Sequence, residues 1–307
     1  MTYGIEPGSI EDRAVGALVG LAVGDALGTS VEFKPRGSFV PVTGMRGGGA
    51  FHMPVGGWTD DTSMALALGE ALLQDRHLHD PAGVMNRWVE WAEHGAYSHT
   101  GTCFDIGGQT SRALHAWRVS ARLPEHDTES AGNGGIMRLA PVALAHLDDP
   151  AIARAIACRQ SDFTHRNHLC RAHAADLAAR LVTLITGGAS ACPAHIASRP
   201  EAEVKSTGYV VDTLEASLWA CAPADGFAAC VLRAVNLGDD ADTVGAVTGQ
   251  LAGGQYGLSG IPDAWVEALA WRDQIIELGR ALYRLSCGGA KTGQPYPANS
   301  GAGLSEM

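Results

Sequence analysis

The sequence predicts an all-α protein built as a single compact multi-helix domain, and three observations predict it. Apolar residues recur at helical spacing in run after run, and three of the runs open on a capping residue or a cap–proline pair. Strand-like alternation of β-branched residues is nearly absent. Glycines at 16, 20, 24 and 28 repeat every four residues, which suits one helix packed closely against another.

Taken in order, Ser9 with Asp12 has the form of a capping box ahead of "AVGALVGLAVGDALG". Asp80-Pro81 and Asp149-Pro150 read as an N-cap followed by proline at the first helical position, ahead of "AGVMNRWVEWAEH" and "AIARAIACRQ". Further helices are expected over 110–122, 168–185, 207–220, 227–235, 244–254 and 264–285. The Gly/Pro-rich stretch 34–57 reads as a loop lying over a site rather than a linker between domains. No period of 20 to 50 residues recurs, so the chain is not a solenoid. Residues 1–286 are expected to form the domain, and the polar, Gly/Pro-rich stretch 287–307 a tail without fixed structure.

At 307 residues the chain can bury a sizeable core, and 46% hydrophobic with 18% charged residues is ordinary for a globular protein. A formal charge of −11 argues against a general nucleic-acid or anionic-membrane surface. The most membrane-like run, 14–24, is interrupted by Asp25 and is too short to span a bilayer. Seven scattered cysteines without a C-x-x-C pair read as reduced thiols of a cytoplasmic protein, and the N-terminus carries no secretory signal.

The functional signal lies in two acidic helix starts, "GGWTDDTSMALAL" (56–68) and "GDDADTVGAVTGQ" (238–250). Thr59, Asp60, Asp61, Asp240, Asp242 and Thr243 offer only oxygen ligands, the donor set of Mg²⁺, Mn²⁺ or Ca²⁺ rather than zinc. Either cluster alone is also what an ordinary helix cap would use. Two clusters with paired acids exceed that need, because one acceptor per helix start suffices. If four carboxylates converge, each pair at 4 Å repels by about 1 kcal/mol in water and about 4 kcal/mol at intermediate dielectric, a penalty that cations remove.

Other residues stand beside these. Glu32 follows the first helix and Asp105 precedes another, where each could be a solvated acid or a cap. Asn133-Gly134-Gly135 could let backbone N–H groups approach a phosphate, or form a plain turn. His165 in "DFTHRNH" is a loop ligand or a structural histidine, and Tyr209 a packing residue or a stacking platform.

Together these segments resemble the ADP-ribosylglycohydrolases, in particular the branch of dinitrogenase reductase-activating glycohydrolase. The resemblance runs over nearly the whole chain: "GALVGLAVGDALGTSVEF", "GGWTDDTSMALALGEAL", "FDIGGQTSRAL", "GNGGIMRLAPVAL", "THRNH" and "VNLGDDADTVGAVTGQLAGGQYG". It implies an all-helical fold, a binuclear Mg²⁺ or Mn²⁺ centre, and hydrolysis of the glycosidic bond joining ADP-ribose to a modified side chain.

Carried over by motif, the resemblance makes Thr59, Asp60, Asp61, Asp240, Asp242 and Thr243 the metal ligands and places Glu32 near the metals and the scissile bond. It makes Asp105 the acid that the arginine-directed branch uses near the leaving guanidinium. It also makes Asn133, Gly134 and Gly135 contacts of the diphosphate or ribose, with His165 and Tyr209 flanking the nucleotide. The partners it implies are an ADP-ribosylated protein as substrate and ADP-ribose as product, for a monomeric enzyme. Serine-linked ADP-ribose, O-acetyl-ADP-ribose, a non-catalytic binding module and a merely metal-buttressed bundle are the alternatives.

Overall fold

Ser9 opens the first helix as the capping pattern predicts: its hydroxyl accepts the Asp12 backbone N–H at 3.0 Å. The Asp12 carboxylate in turn accepts Gly8 N–H at 2.9 Å, and reaches across to the Ser259 N–H at 3.0 Å and hydroxyl at 2.8 Å. The structure is a computed structural model that describes residues 3–190, 192–223 and 225–288. Most of the predicted tail lies outside the described residues.

Fourteen α-helices and no strand occur among the described residues. In chain order they are α1 (Ile10–Gly28), α2 (Asp60–Gln74), α3 (Ala82–His94), α4 (Gly108–Ser120), α5 (Gly134–Met137), α6 (Ala140–Ala145) and α7 (Pro150–Asp162). Then follow α8 (His168–Ile185), α9 (Ala194–Ala197), α10 (Val210–Cys221), α11 (Phe227–Val235), α12 (Ala241–Tyr256), α13 (Asp263–Ala268) and α14 (Arg272–Ser286). Asp149 caps α7 through the N–H groups of Ala151 and Ile152, and Asp80 accepts the N–H of Ala82 at the start of α3.

Two helices form the centre. From Ala14 to Gly28 every residue of α1 is buried, and so is every residue of α12 from Ala241 to Gly254. A helix without a polar face belongs inside a bundle. They run antiparallel in backbone contact, since a Cβ placed on Gly20 would sit 2.2 Å from the Gly249 carbonyl oxygen. One on Gly24 would sit 2.0 Å from that of Gly245, and one on Gly28 2.2 Å from that of Ala241. The four-residue stripe of α1 therefore meets a second stripe, Gly245, Gly249 and Gly253, on its partner. This pairing brings the end of α1 beside the start of α12.

The helices expected over 168–185 and 227–235 are α8 and α11 end to end. The one expected over 207–220 starts late, at Val210, because 208–210 pairs with 131–133: Asn133 N–H donates to Gly208 O at 3.1 Å and Val210 N–H to Ala131 O at 2.9 Å. The single helix expected over 264–285 is two. Trp271 turns left-handed (φ 55°), Ala270 N–H donates to Gly56 O at 3.0 Å, and Ala270 O accepts the Trp58 indole N–H at 3.0 Å. The break thus props the residues leading into Thr59. No helix among the described residues is long and apolar enough to cross a membrane.

The α1–α12 contact leaves no room for a methyl group. Gly24→Ala should cost about 3 kcal/mol by overpacking. Gly83→Ala, in α3 where a Cβ meets nothing within 4 Å, should gain about 0.5 kcal/mol. Urea unfolding of both variants checks this; equal midpoints would contradict the backbone contact.

Candidate metal centre and active site

Neither acidic helix start caps its own helix. Thr59 and Asp240, at the N-cap positions of α2 and α12, make no side-chain cap bond. The free N–H groups of α2 are served instead by Asp25, from the last turns of α1. Its carboxylate accepts Thr59 N–H at 2.9 Å, Thr59 Oγ1–H at 3.0 Å, Thr62 N–H at 3.1 Å and Thr62 Oγ1–H at 2.6 Å, all buried. The capping alternative fails for Asp60 and Asp61, whose carboxylates are left for other work.

Those carboxylates converge with the one on α12. Oxygens of Asp60, Asp61 and Asp242 lie within 4.8 Å of one another, and so do oxygens of Glu32, Asp105 and Asp242, the two groups sharing Asp242. The hydroxyls join them: Thr59 Oγ1 is 3.4 Å from Asp242 Oδ2 and Thr243 Oγ1 is 3.3 Å from Asp61 Oδ1. Asp240 lies beside Asp242 and Thr243, with the Asn133 amide donating to its Oδ2 at 2.6 Å and to Thr213 Oγ1 at 2.9 Å.

Asp61 is completely buried, and Asp61 Oδ2, Asp242 Oδ1 and Glu32 Oε2 have no hydrogen-bond partner among the described residues. Burial first, and the neighbouring acids second, hold the Asp60, Asp61 and Asp242 carboxyls well above the usual range. The same causes push Glu32 to about 10 and Asp105 to about 7, while burial pushes Asp25 to about 6 against its hydrogen bonds. Arg138 is fully buried near Asp60 and Asp61 and offsets little of this. Orphaned, oxygen-only donors crowded in a dry site fit a hard divalent cation.

The backbone is strained where these acids are presented. Phe33, Asp105 and Asp239 all sit at left-handed φ, 61°, 58° and 53°. Each costs on the order of 1–2 kcal/mol for a residue with a side chain. Phe33 N–H to Asp239 O at 2.7 Å and Asp239 N–H to Lys34 O at 2.9 Å tie the segment after α1 to the segment before α12. The loop 34–57 does reach the site: Phe51 packs against Phe33 at 6.2 Å and Phe104 at 5.3 Å between ring centres, next to Glu32 and Asp105.

The remaining candidates lie along 131–133 and its partner 208–210. Gly134 and Gly135 are buried, and a Cβ would fall 2.4 Å from His165 Cε1 at the first and 2.5 Å from Ser161 Oγ at the second. Close packing thus gives both a reason to be glycine. His165 is buried against them, and Tyr209 is 41% exposed opposite Gly132.

Sequence reasoning missed Asp25 and Arg138. The signal each carried was a single charge inside an otherwise apolar helical run.

The family model described as ADP-ribosylglycohydrolase matches residues 6–291. The chain belongs to the ADP-ribosylglycohydrolase family. It is 40% identical to the ADP-ribosylarginine hydrolase Tri1 of Pseudomonas putida, over 91% of this chain and 80% of that protein. It is 36% identical to the ADP-ribosyl-[dinitrogen reductase] glycohydrolase of Rhodospirillum rubrum, over 85% of this chain and 91% of that one. A solved structure titled "ADP-ribosylglycohydrolase-related protein complex" superposes with a TM-score of 0.77 at 38% identity, over 91% of this chain and 99% of that chain.

Membership accounts for the all-helical fold, and the buried acids at one end of the central helix pair could hold a metal ion. Their burial also sets an expectation for stability. The unfolded chain holds its carboxyls near 4. Raised folded values mean that the unfolded state sheds protons first as pH rises, so the metal-free fold weakens from about pH 4 upward through 6 and 7, where Asp25 and Asp105 titrate. In EDTA the thermal midpoint should fall between pH 5 and pH 8. Added Mg²⁺ or Mn²⁺ should raise it more at pH 8 than at pH 5. A midpoint insensitive to both would contradict the cation site.

Proposed function

We propose that this protein hydrolyses the N-glycosidic bond between ADP-ribose and an arginine side chain of a modified protein, releasing ADP-ribose and restoring the arginine. The observation that carries the reading is the carboxylate group of Glu32, Asp105 and Asp242, two candidate acid–base residues joined to a cation site through a shared aspartate. The arginine linkage is supported by relatives whose names specify ADP-ribosylarginine and by Asp105, the acid matching the arginine-directed branch.

Two Mg²⁺ or Mn²⁺ ions, held by Asp60, Asp61 and Asp242 with Thr59, Thr243 and Asp240 beside them, would supply positive charge to grip ribose hydroxyls and acidify water. Asp105, whose carboxylate lies beside those of Glu32 and Asp242 at the edge of the cation site, is the group placed to take a proton from the attacking water. The bond between ribose C1 and the guanidine nitrogen breaks as the water oxygen bonds C1, and the proton taken from that water passes to the leaving nitrogen, so that the arginine departs as guanidinium. Positive charge building on the ribose ring is stabilised by the carboxylates around it. Glu32, pressed against Asp105 and Asp242, is the second candidate for moving that proton. Asn133, Gly134, Gly135, His165 and Tyr209 form the nucleotide side, with the exposed Tyr209 ring as a stacking face.

One chain, residues 1–286, supplies every group named, which favours a monomeric enzyme. A reducing cytoplasm matches its free thiols.

Release of free ADP-ribose from an arginine-ADP-ribosylated protein, measured with Mg²⁺ or Mn²⁺ and again with EDTA, tests the proposal. Release should require the cation, vanish in Asp60→Ala and Asp242→Ala, and fall by ~100-fold or more in Asp105→Asn while the protein stays folded. Undiminished release in EDTA or in Asp60→Ala would overturn the reading.

A further inference from the structure

A chain of buried polar groups runs from beside the acid cluster to His165 and the segment 132–134, and the chemistry above leaves its members Arg138, Gln160 and Thr164 unused. The Arg138 guanidinium lies 4.0 Å over the Trp88 ring. Its Nε donates to Gln160 Oε1 at 3.1 Å, and one terminal nitrogen donates to Thr164 Oγ1 at 2.7 Å. Thr164 is 2% exposed, and its hydroxyl lies 2.8 Å from Nδ1 of His165.

The protons in this chain can be placed by elimination. A guanidinium only donates, so the Thr164 oxygen accepts from Arg138. The single Thr164 hydroxyl proton then needs an acceptor, and among the described residues His165 Nδ1 is the atom that meets it. Nδ1 therefore carries the lone pair and Nε2 carries the hydrogen. The opposite tautomer would aim two donors at Thr164 and leave a buried hydroxyl proton unpaired, which folded proteins rarely tolerate.

Nε2 has no acceptor among the described residues, and it faces the Gly132–Gly134 backbone. A Cβ on Gly132 would lie 3.1 Å from it. Burial first, then the charges of Arg138 and Arg112, hold the ring's pKa at about 3, so it is neutral at any physiological pH. Arg138 stays protonated, because burial lowers it only to about 9 against the pull of Asp60 and Asp61.

We propose that Arg138 and Thr164 are positioning residues that hold His165 as its Nε2–H tautomer, so that the ring presents one fixed neutral donor to an oxygen of the substrate's ADP-ribosyl group beside Gly132–Gly134. The donation step rests on the reading of the site as one for ADP-ribose; the tautomer does not. A fixed neutral donor orients an oxygen without adding charge, and its direction is set before the ligand arrives.

The test joins histidine nitrogen NMR to binding of ADP-ribose. In ¹⁵N-histidine-labelled, cation-loaded protein, the His165 signal, assigned by its absence in His165→Gln, should show a bare Nδ1 and a protonated Nε2. Thr164→Val should lose that signature and bind ADP-ribose ~tenfold more weakly by calorimetry, the loss expected for one hydrogen bond. Thr164→Ser should restore both.

A wild-type ring protonated at Nδ1 overturns the relay, whatever the binding result. Wild-type affinity in Thr164→Val overturns the donation. If Thr164→Val does not fold, Thr164→Ala, which also removes the hydroxyl, takes its place in the binding measurement, with the same outcomes. A wild-type protein that does not bind ADP-ribose overturns the function proposed above and the donation with it, while the spectrum still decides the tautomer.

Discussion

Backbone contact between α1 and α12 is the constraint on which the rest of the structure depends. Glycine on glycine, four residues apart on both helices, lets two helices buried over most of their length approach closer than any side chain would permit. Everything at the active end follows from that approach. Asp25 and Glu32 come off the end of α1, and Asp242 sits in the first turn of α12. Asp25 then reaches sideways and serves as the cap of α2, which aims Asp60 and Asp61 at Asp242. Three helix ends are held in one place by close packing and one carboxylate.

The arrangement is costly to the folded chain. Buried carboxylates crowd together with a single buried arginine near them, and three residues at the same place hold left-handed backbone. Such costs gather where function requires them, and the surrounding core has to offset them. The mostly apolar core around the helix pair supplies that surplus. A divalent cation would turn the crowding of like charges from a penalty into a binding site.

Much of this was legible in the sequence, and the reasons differ from element to element. Helices α7, α8 and α11 announced themselves through local caps and periodicity, and the glycine stripe of α1 declared a close neighbour. Which helix that neighbour was could not be read, since the stripe of α12 lies more than two hundred residues away and nothing local couples them. The paired acids were visible as more than capping requires; that Asp25 does the capping was not, because the bond runs between helices. The break before Trp271 was missed for the same reason: it is set by hydrogen bonds to Gly56 and Trp58. Gly134 and Gly135 read as a phosphate contact or a plain turn, and the packing of His165 and Ser161 against them, which also calls for glycine, comes from a segment too far along the chain to be read locally. Asp240 read as one more acid in the row, and its hydrogen bond from the Asn133 amide, set between distant segments, was not legible.

The central claim is that a helix pair joined through glycines assembles a cation site from α1, α2 and α12. Crystals grown with Mn²⁺ and measured for anomalous scattering test it most directly. The account predicts strong peaks bounded by the carboxylates of Asp60, Asp61 and Asp242, lost in crystals of Asp61→Asn. Full-occupancy Mn²⁺ elsewhere on the molecule with none between those three aspartates would contradict it.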